Sequence, residues 1–496
     1  MIDRSYERAL ELLRGLKRQG LPWATNAPSK SIPGINTMPS LKGKSDLKGT
    51  PSIVGMKQWL QHLGHSPADI NKLNIIHVAG TKGEGSTCAF IESFLRAHGR
   101  RTGYPYKTGL YTSPHLIRPE ERIRINFKPI PQDLFAKFVF EVYEILSQQN
   151  SPEPPSRPPG YLRMFALIAF HVFIKEGIDA MIMETHHGGE YDSTNVIERP
   201  VITVITSLGM DHVRQLGPSI ENIAWHKSGI FKPGALAFSA PQEPAATEIL
   251  RRRAAEKAVD LQFIEQDDSL PVKSMLVMPS VQRTNCAVAL AAARAFCDQK
   301  LADGSERSQV SESDIAQGIV QFSWPGRFQT VIDNGFQWFL DAAHNEMSVG
   351  QAAEWFTSSC DNQSISPATR VLIFSQTSDE RDEVSIFRCL ANSLKGGRIQ
   401  HVILTTYRHD NQDQINGGME LPSKEIYTSI WREIHPDTPI TFHSTIKEAL
   451  QCARDIGGKH GECTQTLLTG SQYLVGGALN LLKYSGPIYA QDVGAG

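Results

Sequence analysis

No apolar stretch in this 496-residue chain approaches the roughly 20 residues that a bilayer-spanning helix needs, so no transmembrane segment is expected. A dominant charge is missing as well. Lysine and arginine total 50 against 52 aspartate and glutamate, a net charge of −2, which gives no reason to expect a nucleic-acid or membrane-surface partner. Cysteine is sparse: the seven residues, at 88, 286, 297, 360, 389, 452 and 463, form no Cys-x-x-Cys pair. That spacing argues against a zinc site or disulfide framework and for reduced, buried thiols in a reducing compartment. The opening residues, Met-Ile-Asp-Arg-Ser-Tyr-Glu-Arg-Ala-Leu, include acids that transit and secretory peptides lack, so the expected location is the cytosol. A mitochondrial form made from an alternative start is the other reading. Internal repeats and long low-complexity tracts are absent too.

What remains is an ordinary globular composition, 40% hydrophobic and 21% charged, in a chain long enough for two or three domains. Helical periodicity runs from Tyr6 to Gly20 and again around Met56 to Leu63. Between them, residues 25–52 are rich in Pro, Ser, Gly and Lys and read as a loop. A proline-rich connection at 149–160 precedes a helix from Tyr161 to Glu176. Strands are expected at Ile75–Ala79, at Ala180–Met183 ending in Glu184, and at Val201–Thr206 ending near Asp211-His212. Helices separate them, which predicts βαβ units and a parallel sheet. A helix near 282–297 and an acidic, polar segment at 302–313 close the first half. The pattern restarts near Trp324, with strands at Trp338–Leu340, Arg370–Phe374, His401–Leu404 and Thr466–Leu468. The expected fold class is α/β, with domains at 1–325 and 326–496.

Residues 77–87, His-Val-Ala-Gly-Thr-Lys-Gly-Glu-Gly-Ser-Thr, form a glycine-rich turn between a buried strand and a helix. Ser86 or Thr87 is expected to cap that helix and Gly99 to end it. Backbone amides at such a helix start suit a phosphate, and Gly80, Gly83 and Gly85 allow close approach. Glu84 is the anomaly. A carboxylate about 4 Å from a phosphate charge costs roughly 4 kcal/mol at an effective dielectric near 20, where a lysine would gain a similar amount. The spacing Gly-x-x-x-x-Gly-Lys-Ser/Thr is not met, so this loop alone is weakly specific.

Ligands of an open parallel sheet gather outside the carboxyl ends of its strands. The 80–87 loop, Glu184 and Asp211-His212 all fall there and suit a nucleotide with a divalent metal, although a histidine is an unusual Mg²⁺ ligand. Singly, Glu184 reads equally as a capping or hinge carboxylate and His212 as a turn histidine. His186-His187-Gly-Gly-Glu-Tyr-Asp192 reads as a polar loop, since adjacent strand histidines would face opposite ways. Lys227, amid Ile223, Trp225 and Ile230, is either a partly buried, reactive amine or a snorkelling surface lysine, and spacing alone favours the latter. Asp341 reads as a helix cap or a ribose or phosphate contact, and Arg327 as a triphosphate contact or an ion-pair partner. Thr469-Gly-Ser471 is a further candidate anion-binding turn.

Together these motifs resemble the folylpolyglutamate synthase family of Mur-ligase-like, ATP-dependent amide ligases, from about residue 6 to residue 485. Beyond the loop, the resemblance rests on Thr112-Ser-Pro-His-Leu, Glu121-Arg-Ile-Arg-Ile-Asn, Gly188-Gly-Glu-Tyr-Asp-Ser-Thr-Asn, Ser207-Leu-Gly-Met-Asp-His and Ile223-Ala-Trp-His-Lys-Ser-Gly-Ile-Phe-Lys-Pro-Gly. Pro325-Gly-Arg, Asp341-Ala-Ala-His-Asn and Thr469-Gly-Ser-Gln-Tyr-Leu-Val-Gly-Gly complete it. The resemblance implies a P-loop ATPase domain followed by a smaller Rossmann-like domain, with the active site in the cleft. It implies ATP-dependent phosphorylation of a folate's terminal γ-carboxylate, then attack by the amino group of L-glutamate. Ser113, Glu184 and His212 match magnesium-ligand positions, and Lys227 a lysine that family members carbamylate. Gly80, Thr81, Lys82, Gly83, Glu84, Gly85 and Ser86 match the nucleotide loop. Arg327 and Asp341 match ATP-contacting positions, Gln282 and Asn285 a motif near the adenine, and His344 a histidine near the transferring phosphate. Mg²⁺, a monovalent cation such as K⁺, and a monomeric state are expected with it.

Departures from the family pattern are equally specific. Glu84 replaces a lysine, His186 and His187 replace small or aliphatic residues, Ala342 replaces a glycine, Val281 replaces a histidine, and Tyr104–Gly109 reads as an insertion. Lys82 or Lys107 is a candidate to supply the missing charge. The alternatives are therefore a diverged ligase joining an amino acid to another carboxylate, or a weakly active or inactive nucleotide- or folate-binding homologue.

Overall fold

The computed structural model describes residues 3–19, 52–148, 159–265, 267–271, 279–300, 309–361, 369–376, 382–407, 424–460 and 464–482. Nearly all of the loop expected over 25–52 and the proline-rich connection over 149–160 lies outside these residues, as does most of 302–313. The chain divides into two compact units. The first comprises Met1–Ser113, Arg122–Leu270 and Thr284–Gln321, and the second Pro114–Glu121, Pro271–Arg283 and Phe322–Gly496.

In the first unit the described strands are β1 (Ile75–Ala79), β2 (Thr108–Tyr111), β3 (Ile123–Ile125), β4 (Lys128–Pro129), β5 (Ala180–Glu184), β6 (Ile202–Ile205), β7 (Leu236–Ser239) and β8 (Leu261–Phe263). They form one sheet in the order β4-β3-β2-β5-β1-β6-β7-β8. From β2 to β8 neighbouring strands are parallel, whereas β2, β3 and β4 pair antiparallel. Every residue of β1, β5 and β6 is buried, as a central parallel strand covered on both faces requires. Helices Tyr6–Gln19, Gln132–Ser147 and Tyr161–Lys175 join Ile75, Tyr111, Met181 and Met183 in one core cluster. A second cluster joins Ala79, Ile205 and Ala237 to Trp225, Ile249 and Leu250.

The register sets the site. Val78 pairs with Glu184, Ala79 with Ile205, and Tyr111 with Met183, so β1, β2, β5 and β6 end level with one another. Since β1 lies between β5 and β6, the loops after all four strands open along one carboxyl edge.

The second unit carries a six-stranded sheet of β9 (Gln329–Asp333), β10 (Phe336–Leu340), β11 (Thr369–Phe374), β12 (His401–Thr405), β13 (Ile440–His443) and β14 (Thr464–Thr469). Its order is β13-β12-β11-β14-β10-β9, all parallel except the β9–β10 hairpin. The strands expected in this unit are present and longer by one to three residues, whereas in the first unit β1 has its expected bounds and β6 is two residues shorter than Val201–Thr206. The flanking strands β7, β8, β9 and β13 were not legible, because each is four or five residues or fewer and only partly apolar.

Candidate active site

After β1 the chain turns through Gly80–Gly83 into the helix Glu84–Thr102. The turn is pinned from the end of β6. The amides of Thr81 and Lys82 both donate to Ser207 O, at 3.0 and 3.1 Å, and Thr81 Oγ1 donates to Gly209 O at 3.1 Å. Space dictates two of the glycines. A Cβ on Gly80 would stand 1.7 Å from Thr206 Oγ1, and one on Gly83 would stand 2.4 Å from Asn285 Oδ1. Gly83 also has φ 91° and is itself the N-cap, so the helix starts at Glu84 and not after a Ser86 or Thr87 cap. Nor does Gly99 end it. The helix runs to Thr102 and stops at Gly103, also at φ 91°, while Gly99 admits the carbonyl of Pro105.

Glu84 therefore occupies the first helical position, where the helix dipole favours a carboxylate in the absence of a ligand. That local preference explains how the substitution is tolerated by the fold. It does not supply a phosphate-binding charge.

The lysines are distributed unequally. Lys82 Nζ lies 3.4 Å from Asp211 Oδ2, with both side chains largely buried. Lys107 is taken away from the loop altogether: it precedes β2, and its Nζ donates to Glu176 O at 2.9 Å. Its candidacy for the missing charge is thus overturned. Lys227 ends the helix Ile220–Lys227, is 4% exposed, and donates its amine to Gly80 O. The surface position favoured by spacing is corrected accordingly. A contact far along the chain causes the burial. A Cβ on Gly189 would stand 2.6 Å from His226 O and 2.7 Å from Lys227 O, so the 186–192 loop lies directly on this helix end. Burial lowers the Lys227 pKa, while Glu84, Asp211, Asp192 and Glu184 oppose that shift.

Ser113 follows β2 and Glu184 ends β5. The Ser113 amide donates to Glu184 Oε2 at 2.7 Å, so this carboxylate bridges two strand ends and does not cap a helix. His212 sits at φ 50° before the short helix Val213–Leu216, and its ring meets that of His187 edge-on, with centroids 4.5 Å apart. Asp192 shapes this neighbourhood. Its Oδ2 accepts from the amides of His186 (3.1 Å) and His187 (2.8 Å), and its Oδ1 accepts from Thr194 N (2.9 Å) and Thr194 Oγ1 (2.7 Å). The two histidines diverge. His186 turns inward between Tyr111 Oη (2.5 Å) and Ser193 Oγ (3.0 Å), and burial pushes its pKa down to about 4. His187 stays at the surface beside His212. Among the described residues no group of three or more His, Cys, Asp or Glu is placed to hold a metal by side chains alone.

Asn285 and Gln282 lie on the helix Ser280–Lys300, and both are buried. Asn285 packs on Gly83, which ties this helix to the loop.

Within the second unit, Asp341 follows β10. Its Oδ2 accepts from the amide of Phe328 at 2.9 Å, and Phe328 itself has φ 46°. The cap reading of Asp341 is corrected: the helix there is Glu346–Asp361, and Asn345 Oδ1 accepts from Ser348 N at 3.0 Å. Arg327 Nη1 donates to Gly326 O at 3.2 Å. His344 Nδ1 bonds to Ala342 O at 2.8 Å, and Gln376 Nε2 donates to His344 O at 3.0 Å. Ser471 caps Gln472–Leu481 by accepting from Tyr473 N, which gives the Thr469-Gly-Ser471 turn a structural duty. Thr206 was missed as a site-shaping residue, since Gly80, the position it crowds, lies far away in sequence.

No protein-family model matches the chain. Folylpolyglutamate synthase of Neurospora crassa is 37% identical over 454 residues, covering 87% of this chain and 85% of its own. That of Candida albicans is 32% identical and covers 97% and 96%. Among solved structures, Mycobacterium tuberculosis folylpolyglutamate synthase complexed with ADP and AMPPCP matches with a TM-score of 0.71 at 22% identity, covering 88% of this chain and 97% of that one. An FPGS–AMPPCP–folate complex matches with a TM-score of 0.65 at 20% identity, covering 96% and 99%. At such identities the structures speak for the fold, and the sequence relatives speak for the lineage. This chain belongs to the folylpolyglutamate synthase family.

Proposed function

We propose that this chain is an ATP-dependent ligase that adds L-glutamate to the γ-carboxyl of a folate through an acyl phosphate. The observation that carries the reading is the gathering of the Gly80–Ser86 turn, the Ser113–Glu184 bond, His212 and Lys227 at one carboxyl edge of the first sheet. Relatives named folylpolyglutamate synthase, and solved neighbours holding ADP, AMPPCP or folate, support it.

In this reading the first-turn amides of Glu84–Thr102 and the close-packed Gly80 and Gly83 receive the phosphates. Ser113, Glu184 and His212 are the residues to hold a magnesium ion. Two oxygen donors and an imidazole at adjoining loop ends fit a cation that keeps part of its shell as water and phosphate oxygen. Bound there, the ion would neutralise charge on the transferring phosphoryl group. The 186–192 loop, fixed by Asp192, orients the wall beside His212. Arg327, Asp341 and His344 of the second unit are assigned to ATP and its transferring phosphate, and Gln282 and Asn285, on the helix Ser280–Lys300, to the adenine end. The proposed domain boundary lies at 325/326. The proposed setting is a monomer in the cytosol, where the six described cysteines stay as free thiols.

The test is ATP-dependent incorporation of labelled glutamate into tetrahydrofolate by the purified full-length chain, with and without Mg²⁺. Incorporation that requires both ATP and Mg²⁺ is expected. Hydrolysis of ATP with no extension of folate would overturn the folate assignment, and activity in chelator would overturn the roles of Glu184 and His212.

A further inference from the structure

The edge of the first sheet opposite the Gly80–Gly83 turn carries an unbalanced cluster of charge. Glu198 precedes β6, and Lys232 precedes β7 in a turn closed by the Ala235 amide on Lys232 O at 3.1 Å. Ile202 pairs with Leu236, so the two strands start level and both residues lie at the amino edge. Lys257 joins them because the helix Pro244–Glu256 runs back from the far end of β7. The acids here are already taken. Glu198 Oε1 meets Lys57 Nζ, and Glu190 Oε2 accepts from Arg253 Nη2 at 2.5 Å and lies 3.4 Å from Lys257 Nζ. Glu256, half-exposed, holds Arg253 Nη1 at 3.0 Å. Lys232 is left over. It is largely buried, yet among the described residues its amine makes no hydrogen bond or ion pair. Burial and the like charges of Lys257 and Lys57 push its pKa down to about 8, against the pull of Glu190 and Glu198. Arg253, 8% exposed, likewise has a buried Nε without an acceptor.

The geometry points to this cluster as a binding site for a small oxyanion, phosphate or carboxylate in class, with Lys232 Nζ as its main donor and Arg253 and Lys257 beside it. A buried ammonium is costly unless it is paired, and each neighbouring carboxylate is committed to another cation. An oxyanion accepts from several donors at once through charge-assisted bonds. Its charge would offset the excess of Lys57, Lys232, Arg253 and Lys257 over Glu190, Glu198 and Glu256. The same excess disfavours a metal ion or an amine. Two sources supply the chemistry: free inorganic phosphate, and the α-carboxylates of a γ-linked glutamate chain. The site stands apart from the nucleotide loop, and the inference goes beyond the ATP-dependent reading without resting on it.

Competitive lysine labelling of the full-length chain tests this. The protein is treated with trace acetic anhydride near neutral pH, with increasing inorganic phosphate or γ-linked triglutamate at constant ionic strength in chloride. Each lysine is then read by mass spectrometry. Acylation needs the neutral amine, so a bound oxyanion suppresses it at Lys232. Labelling there should fall about tenfold at saturation, the effect of a pKa raised by about one unit. Lys72, whose side chain is 78% exposed, should keep its labelling. Lys257→Gln removes a second donor and should raise the anion concentration for half-protection about tenfold. Protection by phosphate alone identifies free phosphate as the source, and protection by the peptide alone identifies the glutamate chain; either supports the site. Absence of saturable protection by both anions, equal loss of labelling at Lys72, or an unchanged half-protection concentration in Lys257→Gln would overturn it. The wild-type titration needs neither a folded variant nor turnover. Its failure leaves the ligase reading standing, and a failed glutamate-transfer assay leaves this site standing.

Discussion

The amide of Ser113 donates to Glu184 Oε2 across 2.7 Å, joining the end of β2 to the end of β5. A side-chain amide oxygen can accept the same bond, so Glu184→Gln keeps the geometry and removes the charge. Thermal stability should change by no more than a few degrees, while glutamate transfer should fall about 10- to 100-fold or more and the Mg²⁺ requirement should rise. Mg²⁺ titrations of both proteins check this. An unchanged Mg²⁺ dependence would remove Glu184 from the metal site.

Gly80→Ala places a methyl 1.7 Å from Thr206 Oγ1, and Gly83→Ala combines φ 91° with a contact 2.4 Å from Asn285 Oδ1. Each should cost about 1–3 kcal/mol of stability through overpacking or backbone strain. Nucleotide affinity should fall further than stability does. Denaturant unfolding with AMPPCP calorimetry separates the two, and a Gly83→Ala variant with full affinity would contradict the loop's role.

These glycines also show what the sequence could and could not convey. β1, β5, the Gly80–Gly83 turn and the placement of Glu184 and His212 were legible, because apolar runs ending in glycine or acid report local constraints. Lys227 was not. Its environment depends on Gly189 and Gly229, which bring the 186–192 loop onto a helix end some forty residues later in the chain. Asp192 was legible only as one acid among neighbours, and its hold on four donors of residues 186–194 appears only in three dimensions. The helix ends at Gly83 and Gly103 were misplaced for a related reason: glycine caps compete with hydroxyl caps, and local sequence does not rank them.

Acid should weaken the first unit through its buried histidines. Burial lowers the pKa of His65 and of His226 to about 4 and that of His77 to about 3, all from an ordinary 6.5. The folded state thus binds fewer protons than the unfolded chain between these values. The stability of the neutral forms is complete above pH 6.5 and is lost as pH falls toward 4, at up to about 1.4 kcal/mol per pH unit for each histidine. Urea unfolding at pH 7.5, 6 and 5 should show that decline. His77→Gln, which removes one titrating group bonded to Thr194 Oγ1, should flatten it by about one proton. An unchanged slope would exclude His77 as a contributor.

Asp341 carries a structural load besides its proposed nucleotide contact. Asp341→Ala leaves the Phe328 amide without its acceptor and should destabilise the second unit by about 1–3 kcal/mol. Asp341→Asn retains an acceptor, so its stability should stay near that of the wild type while AMPPCP affinity falls. Full affinity in the asparagine variant would leave Asp341 with the structural role alone.

The acyl phosphate is the centre of the account, and oxygen tracing tests it most directly. Tetrahydrofolate labelled with ¹⁸O in its γ-carboxylate is incubated with ATP, Mg²⁺ and glutamate, and the released inorganic phosphate is analysed by mass spectrometry. The account predicts one ¹⁸O in the phosphate released with the first glutamate added to each labelled folate, and none from later additions, which activate unlabelled carboxylates. Addition of the first glutamate with release of unlabelled phosphate would contradict it.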